Sequence, residues 1–146
     1  MGNYVSREDI VNAVGGQERL TQLTDYDRDG TEDSGVVDDA IFDAEALIDS
    51  YARKVFSTPF AAPLPPIIVT MAKKLSVYNL RERRDVITDA HREEQEDRIK
   101  WLEHLASGKV DPGIAPAPKG SGHNRSTSTS RPSAKRVSRE SLKGFS

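Results

Sequence analysis

Residues 36–56 read VVDDAIFDAEALIDSYARKVF and have the clearest helical period in this 146-residue chain. Apolar residues recur there every three or four positions, as they do on the buried face of an α-helix. The carboxylates near its start and the pair Arg53-Lys54 near its end suit the two poles of the helix dipole. We therefore predict a helix from Val36 to about Phe56. Its apolar stripe comprises Val37, Ala40, Ile41, Ala44, Leu47, Ile48, Tyr51, Ala52 and Val55, and the acidic residues off the stripe are Asp38, Asp39, Asp43, Glu45 and Asp49.

Two short helices are predicted before this one. Ser6 followed by Asp9 resembles a capping box, in which each side chain bonds the backbone N–H of the other residue. The helix that it opens ends at Gly15-Gly16, since glycine readily takes the left-handed conformation that terminates helices. A second helix runs from Gln17 to Leu23, and residues 24–35 form a polar loop rich in turn-forming residues.

Two longer helices are predicted after it. The proline-rich stretch 57–66 excludes regular structure, because proline lacks an N–H donor and fixes φ, and one of its last two prolines suits the first turn of the next helix. That helix runs to about Arg83 and is apolar on most sides, which is typical of a central helix. A last helix, residues 88–107, is about 30 Å long and is followed by Gly108. The sequence therefore predicts an all-α fold, a small bundle of about four to five helices with a long C-terminal helix and an extended basic tail.

The middle of the last helix carries charge where a core helix would be apolar. Glu94 and Arg98 are spaced i,i+4 in the order that favours an ion pair, and they lie on the stripe that Trp101 continues. A charged pair does not press on a core, so this part of the helix protrudes or meets a neighbouring subunit. We expect Glu94, Arg98 and Trp101 at a subunit contact.

The charge of the chain is divided between two segments. Residues 114–146 carry seven basic residues and one acidic residue, a net +6, whereas residues 1–113 carry 14 basic and 22 acidic residues, a net −8. After Val110 the composition shifts to Ser, Pro, Gly, Lys and Arg, which alone bury too little apolar surface to offset the entropy of ordering. We predict a helical domain at residues 1–110 and a basic arm at residues 111–146.

The loop after the second helix has the spacing of a calcium-binding loop. Three alternating carboxylates followed by glycine match its first six positions. Val36 stands where the bidentate glutamate of position 12 belongs, so any affinity for Ca²⁺ should be weak. The alternative is a polar turn that caps the following helix. The candidate ligands are Asp25, Asp27, Asp29, Thr31 and Asp33.

No combination of residues indicates an enzyme. The chain has no cysteine, which excludes thiol nucleophiles, disulfides and cysteine-bound zinc. His91 and His104 lie about 220° apart round one helix and cannot share a metal there, and His123 lies in the arm. Neither a nucleophile elbow nor a phosphate-binding loop is present, and no apolar run is long enough to span a membrane. We predict a non-enzymatic protein without a cofactor and without a membrane partner.

The basic arm has three interpretations. It contacts nucleic-acid phosphates non-specifically, it docks on an acidic surface of a partner protein and becomes ordered there, or it is a solubilising tail without a partner. Seven cations with a single aromatic residue make a poor platform for stacking bases. The residues concerned are Lys119, Arg125, Arg131, Lys135, Arg136, Arg139, Lys143 and Phe145.

Several short motifs occur in an order that is similar to one protein family. They are Tyr4, QLTDYDRDG (22–30), AIFDAEALIDSY (40–51), PLPP (63–66), YNLR (78–81), WLE (101–103) and GKV (108–110). The combination resembles the Mu-like phage and prophage family, which is itself similar to the head–tail connector adaptors (head-completion proteins) of long-tailed phages. The resemblance covers about residues 4–110 and leaves the arm outside.

The resemblance implies a small helical structural protein without an active site. It implies a homo-oligomeric ring of about twelve copies, which sits under the portal protein, extends the DNA channel and meets a tail-proximal neck or stopper protein. Such a protein is assembled in the host cytoplasm and resides in the virion neck. The acidic body suits a channel wall that makes only transient, non-specific contact with passing DNA, because like charges repel. The arm is then expected to bind the portal.

Two other functions stay open at this point. One is a calcium-responsive binding module that uses the loop Asp25–Asp33. The other is a DNA-binding protein that acts through the basic arm.

Overall fold

Five α-helices form the regular structure of residues 2–116, the part of the chain that the computed structural model describes. In chain order they are α1 (Arg7–Val14), α2 (Gln17–Thr24), α3 (Val36–Ala52), α4 (Pro66–Arg83) and α5 (Asp89–Ala106). No strand occurs within these residues. The prediction of a small all-α bundle with a long last helix is confirmed.

Two capping boxes fix the starts of α1 and α5. The Asp9 amide donates to the Ser6 hydroxyl at 3.3 Å and the Ser6 amide to the Asp9 carboxylate at 2.9 Å, as predicted. At the start of α5 the Thr88 hydroxyl accepts from the His91 amide at 3.2 Å, and His91 Nδ1 accepts from the Thr88 amide at 3.1 Å. The imidazole of His91 therefore satisfies a backbone donor that the helix leaves free.

α3 is shorter than predicted. It ends at Ala52 rather than Phe56, because the Ala52 carbonyl accepts from the amides of both Val55 at 3.0 Å and Phe56 at 2.8 Å and the chain turns there. Phe56 is buried beside Phe60, with ring centroids 5.8 Å apart. This turn also packs on the core, and for that reason the apolar spacing in the sequence continues past the end of the helix.

α4 lies at the centre of the bundle, as its apolar surface predicts. It packs against each of the other four helices. The Asn79 side chain donates to the Ala40 carbonyl of α3 at 3.1 Å, and Arg83 forms an ion pair with Asp43 at 2.6 Å. The buried residues of α4 are Ile68, Met71, Ala72, Leu75, Ser76, Val77 and Leu80.

α5 contacts the core through its C-terminal half. Leu102 and Leu105 are fully buried, and Ile99 and Trp101 pack against the core. Residues 89–97 are exposed or only half-buried. The N-terminal half of α5 therefore has little packing of its own, as its charged stripe predicts.

The packed body continues past Val110, where the composition changes. Pro112 is buried and Ile114 packs partly against the core, and the compact unit spans Met1–Ala115. The cationic residues predicted for the arm, and Phe145, lie outside the described residues.

Within the described residues, no helix combines the length and the apolar character that crossing a bilayer requires.

Candidate functional site

A buried carboxylate holds the N-terminal segment on α3. Glu45 is 5% exposed. Its carboxylate accepts hydrogen bonds from three successive backbone amides, those of Asn3 at 2.7 Å, Tyr4 at 2.7 Å and Val5 at 3.2 Å. The expectation that Glu45 lies off the buried stripe is therefore wrong. The side chain thus satisfies two buried donors, those of Tyr4 and Val5, which water does not reach.

Tyr4 adds a second link between the same parts of the chain. Its hydroxyl donates to the Asp49 carboxylate and accepts from the Phe60 amide at 3.0 Å. Two causes raise the pKa of the Tyr4 phenol well above its ordinary value: burial, which is the larger, and the hydrogen bond to Asp49. Burial also raises the pKa of Asp49, and the hydrogen bond from Tyr4 only partly opposes this. The pair therefore fastens the N-terminal segment and the proline-rich loop to α3.

The predicted calcium loop brings together three of its four candidate carboxylates. Carboxylate oxygens of Asp25, Asp27 and Asp29 lie within 4.8 Å of one another. The Asp33 carboxylate is not in this group, and it accepts from the Tyr26 amide at 3.0 Å. These three carboxylates are therefore close enough together to contact one cation.

Donors of the loop itself occupy many of these oxygens. Asp25 accepts from the amides of Asp29 at 3.0 Å and Gly30 at 2.8 Å. Asp29 accepts from the Thr31 amide at 2.8 Å and the Thr31 hydroxyl at 2.7 Å. Burial raises the pKa of Asp25, but hydrogen bonds to its carboxylate, led by those from the Gly30 and Asp29 amides, together outweigh it, so that this pKa lies below its ordinary value. The bonds from Thr31 lower the pKa of Asp29, whereas burial and the bond to Asp25 raise that of Asp27.

The loop is a hydrogen-bonded polar turn, as the alternative interpretation proposes, but the prediction that it caps α3 is wrong. The N-cap of α3 is Gly35, which makes no side-chain cap. Instead the Asp33 amide donates to the Thr24 carbonyl at 3.0 Å, which closes the loop onto the end of α2. The Arg84 guanidinium lies 5.4 Å from the ring centroid of Tyr26, a cation–π contact that ties the loop to the end of α4. Calcium binding by this loop stays a prediction.

The predicted subunit-contact residues all line one surface groove between α4 and α5. Its volume is about 300 Å³. Arg98 pairs with Glu94 at 3.5 Å, as their spacing predicts, and Trp101 lies half-buried further along α5. Ile67 and Lys74 line the groove from α4. We call this surface the α4–α5 groove.

A neighbouring pocket shares Lys74 with the α4–α5 groove and carries further basic residues of α4. Lys73, Lys74 and Arg81 line it as a strip, and none of these three has an ion-pair partner among residues 2–116. This strip contrasts with the net −8 of residues 1–113. The strip could not be predicted from the sequence, because lysines on a helix normally indicate only a solvated face.

Comparison with known proteins identifies the family. The profile of the family described as "Bacteriophage Mu, Gp36" matches residues 4–129, which extends beyond the expected 4–110 into the arm. The chain is 32% identical over 88 residues to "Gene product J" of Escherichia phage Mu, and this match covers 59% of each chain. It is 28% identical over 112 residues to the Mu-like prophage FluMu protein gp36 of Haemophilus influenzae, with 77% of each chain covered.

The family match and the two relatives agree with the resemblance seen in the motifs. The chain spans about three fifths of the length of gene product J, but the family profile covers most of residues 1–146. This chain therefore belongs to the bacteriophage Mu Gp36 family.

Proposed function

We propose that this chain is a head–tail connector adaptor, a structural protein of the virion neck that forms a ring beneath the portal and extends the DNA channel. Its partners are further copies of itself, the portal protein and a tail-proximal neck or stopper protein. It is assembled in the host cytoplasm. The observation that carries the proposal is membership of the Mu Gp36 family, whose motifs resemble those of connector adaptors.

The N-terminal half of α5 supports an assembly role. Residues 89–97 are about 14 Å long as a helix and have few buried side chains. The packed C-terminal half of α5 anchors this segment to the body, and most of the segment's own surface is open to a partner. Contacts with a neighbouring copy would stabilise it, and a ring supplies such a neighbour to every subunit.

The polar clusters of the body also support a structural role. The Glu45 carboxylate accepts from three backbone amides, and the Asp25 carboxylate accepts from two. Both carboxylates thus hold segments of the chain together, which is a structural use.

The charge of the body suits a channel wall. Residues 1–113 carry a net −8, which repels the phosphates of passing DNA. DNA then moves past the ring without being held by it, and the basic arm remains for an acidic surface on the portal.

Removing the gene for this chain from the phage that encodes it tests the proposal. Every other component of heads and tails is still made, so both should be completed. Without the adaptor between them, they should not join. Supplying the full chain from a plasmid should restore joined particles. Infectious, joined particles without any copy of this chain contradict the proposal.

A further inference from the structure

Four cations and one carboxylate face a cleft between α1, α4 and α5. The volume of this cleft is about 350 Å³. Lys73, Lys74 and Arg81 line it from α4, and Arg98 and Glu94 line it from α5. The lining therefore carries a net charge of +3, although the body as a whole is acidic. We call this surface the basic cleft.

The α4 cations of the basic cleft have no partner in their own chain. Glu94, the carboxylate of the lining, pairs with Arg98 at 3.5 Å. Asp97 lines the adjoining α4–α5 groove together with Lys74, but these two form no ion pair in the described body. Unpaired cations held in one concave surface repel one another. Carboxylates brought from another molecule would offset that repulsion.

The outer side of α5 carries unpaired carboxylates. Residues 89–97 contain five acidic residues and one basic residue, a net −4. Glu93 and Glu96 are exposed, and neither forms an ion pair within residues 2–116. At about 100° per residue they lie about 100° and 160° round the helix from Glu94, so they point away from the basic cleft. We call Glu93 and Glu96 the acidic face.

Other acidic segments of the body use their carboxylates internally. Residues 25–33 also carry a net −4, but each of their five carboxylates accepts a hydrogen bond from the loop itself or from Arg7. At the start of α3, Asp43 already pairs with Arg83. The acidic face is therefore the acidic surface best able to serve a basic cleft.

We propose that the acidic face of one copy docks against the basic cleft of the next copy. The inference rests on the proposed ring and names the two surfaces that build it. The two surfaces differ and point to different sides of α5, so one copy can use both at once and the contact is head-to-tail. Repeating such a contact closes a ring when the rotation allows. Complementary charge of this kind fixes the register of a contact and suppresses wrong partners.

A second copy suits the basic cleft better than DNA does. A duplex carries negative charge along its whole length. DNA bound at the cleft would also meet residues 89–97 of the same body, whose net charge of −4 repels it. A protein surface instead presents two carboxylates at the cleft alone.

Two charge-reversed variants of the full chain test the docking when they are mixed. One is Lys73→Glu, Lys74→Glu, and the other is Glu93→Lys, Glu96→Lys. In each variant alone the two surfaces no longer carry opposite charge, so self-association measured by analytical ultracentrifugation should weaken at least about tenfold. In an equimolar mixture, every contact between unlike variants is again between opposite charges. Association should then return to within about threefold of wild type.

A matched control changes the net charge without touching either surface. Lys54→Glu, Lys109→Glu alters the charge as much as the cleft variant does, at two exposed positions, and should associate as wild type does. Circular dichroism verifies that each variant is folded. If the cleft double variant is unfolded, Lys74→Glu alone replaces it, because Lys74 is exposed.

The same variants are supplied from plasmids to the phage that lacks the gene. Each alone should fail to give joined particles, and the two together should restore them; this assay decides the question where the purified wild type is monomeric. No rescue by mixing, in solution or in particles, overturns the docking even when the wild-type chain occupies the neck and the adaptor function stands. Rescue in solution with the wild-type chain absent from particles supports the docking and removes the adaptor function. DNA binding that the cleft variant loses while its self-association is unchanged also overturns the docking.

Discussion

Replacing Glu45 by alanine should be one of the most damaging single changes in the body. Its carboxylate serves three amides, and two of them belong to the buried residues Tyr4 and Val5. A hydrogen bond to a charged acceptor contributes about 1.5–3 kcal/mol, and a buried donor left without a partner costs about 1–3 kcal/mol. Water can replace the acceptor at Asn3, which is exposed. Losing two buried bonds should therefore lower the free energy of unfolding by about 3–5 kcal/mol.

Urea denaturation followed by far-ultraviolet circular dichroism measures this loss. Glu45→Gln keeps one acceptor oxygen and should lose about half as much. Glu93→Ala, on the exposed part of α5, is the matched control and should change the free energy of unfolding by less than about 0.5 kcal/mol. A loss below about 1 kcal/mol in Glu45→Ala would refute the reasoning that this carboxylate anchors the N-terminal segment.

Three further predictions concern Tyr4, the acidic loop and the arm. The folded state raises the pKa of Tyr4 and so binds the phenol proton more tightly than the unfolded chain does; the free energy of unfolding should therefore fall as the pH rises above about 10. Denaturation at a series of pH values should show this fall in wild type and in the control Tyr26→Phe but not in Tyr4→Phe, and an equal fall in Tyr4→Phe contradicts the assignment. Asp25→Asn should lower the melting temperature in calcium-free buffer, because the Asp25 carboxylate closes the loop. Millimolar Ca²⁺ should raise the wild-type melting temperature by less than about 5 °C, because Val36 stands at position 12; a larger rise would show a calcium site. Truncation after residue 116 should leave the melting temperature unchanged, because the packed body ends before it, and should weaken docking on the portal. Salt-sensitive DNA binding that is lost with the arm would instead favour the DNA-binding alternative.

The helices could be predicted because local chemistry sets most of their limits. Ser6 and Asp9 meet within one turn, and the N-cap of α4 is Pro65, within the proline-rich stretch that excludes regular structure. Such signals act over three or four residues and are visible in one sequence. The apolar spacing predicts the end of α3 four residues too late. The turn that leads to Phe56 buries apolar side chains at nearly the same spacing as a helix does.

The role of Glu45 could not be predicted from the helical pattern alone. Its partners are backbone amides some forty residues earlier in the chain, and backbone donors leave no mark in the sequence. A positional signal was nevertheless present. Glu45 follows Ile41 by four residues and precedes Ile48 by three, so it occupies the buried stripe by spacing although its charge suggests solvent.

The α5 side of the α4–α5 groove could be predicted from the sequence, whereas the α4 side could not. The charged stripe that interrupts an otherwise apolar helix face predicts Glu94, Arg98 and Trp101 as contact residues. Lys74 could not be predicted there, because only the packing of α4 beside α5 brings it to the same groove. The exposure of Phe42 likewise could not be predicted, since an apolar residue on a helix normally indicates burial.

An electron-microscopic reconstruction of the neck, from particles that carry this chain, would show whether the chain is an adaptor. We predict a ring of about twelve copies between portal and tail, each with the five-helix body described above. A complete neck, with head and tail joined and no density for this chain, would contradict the adaptor function.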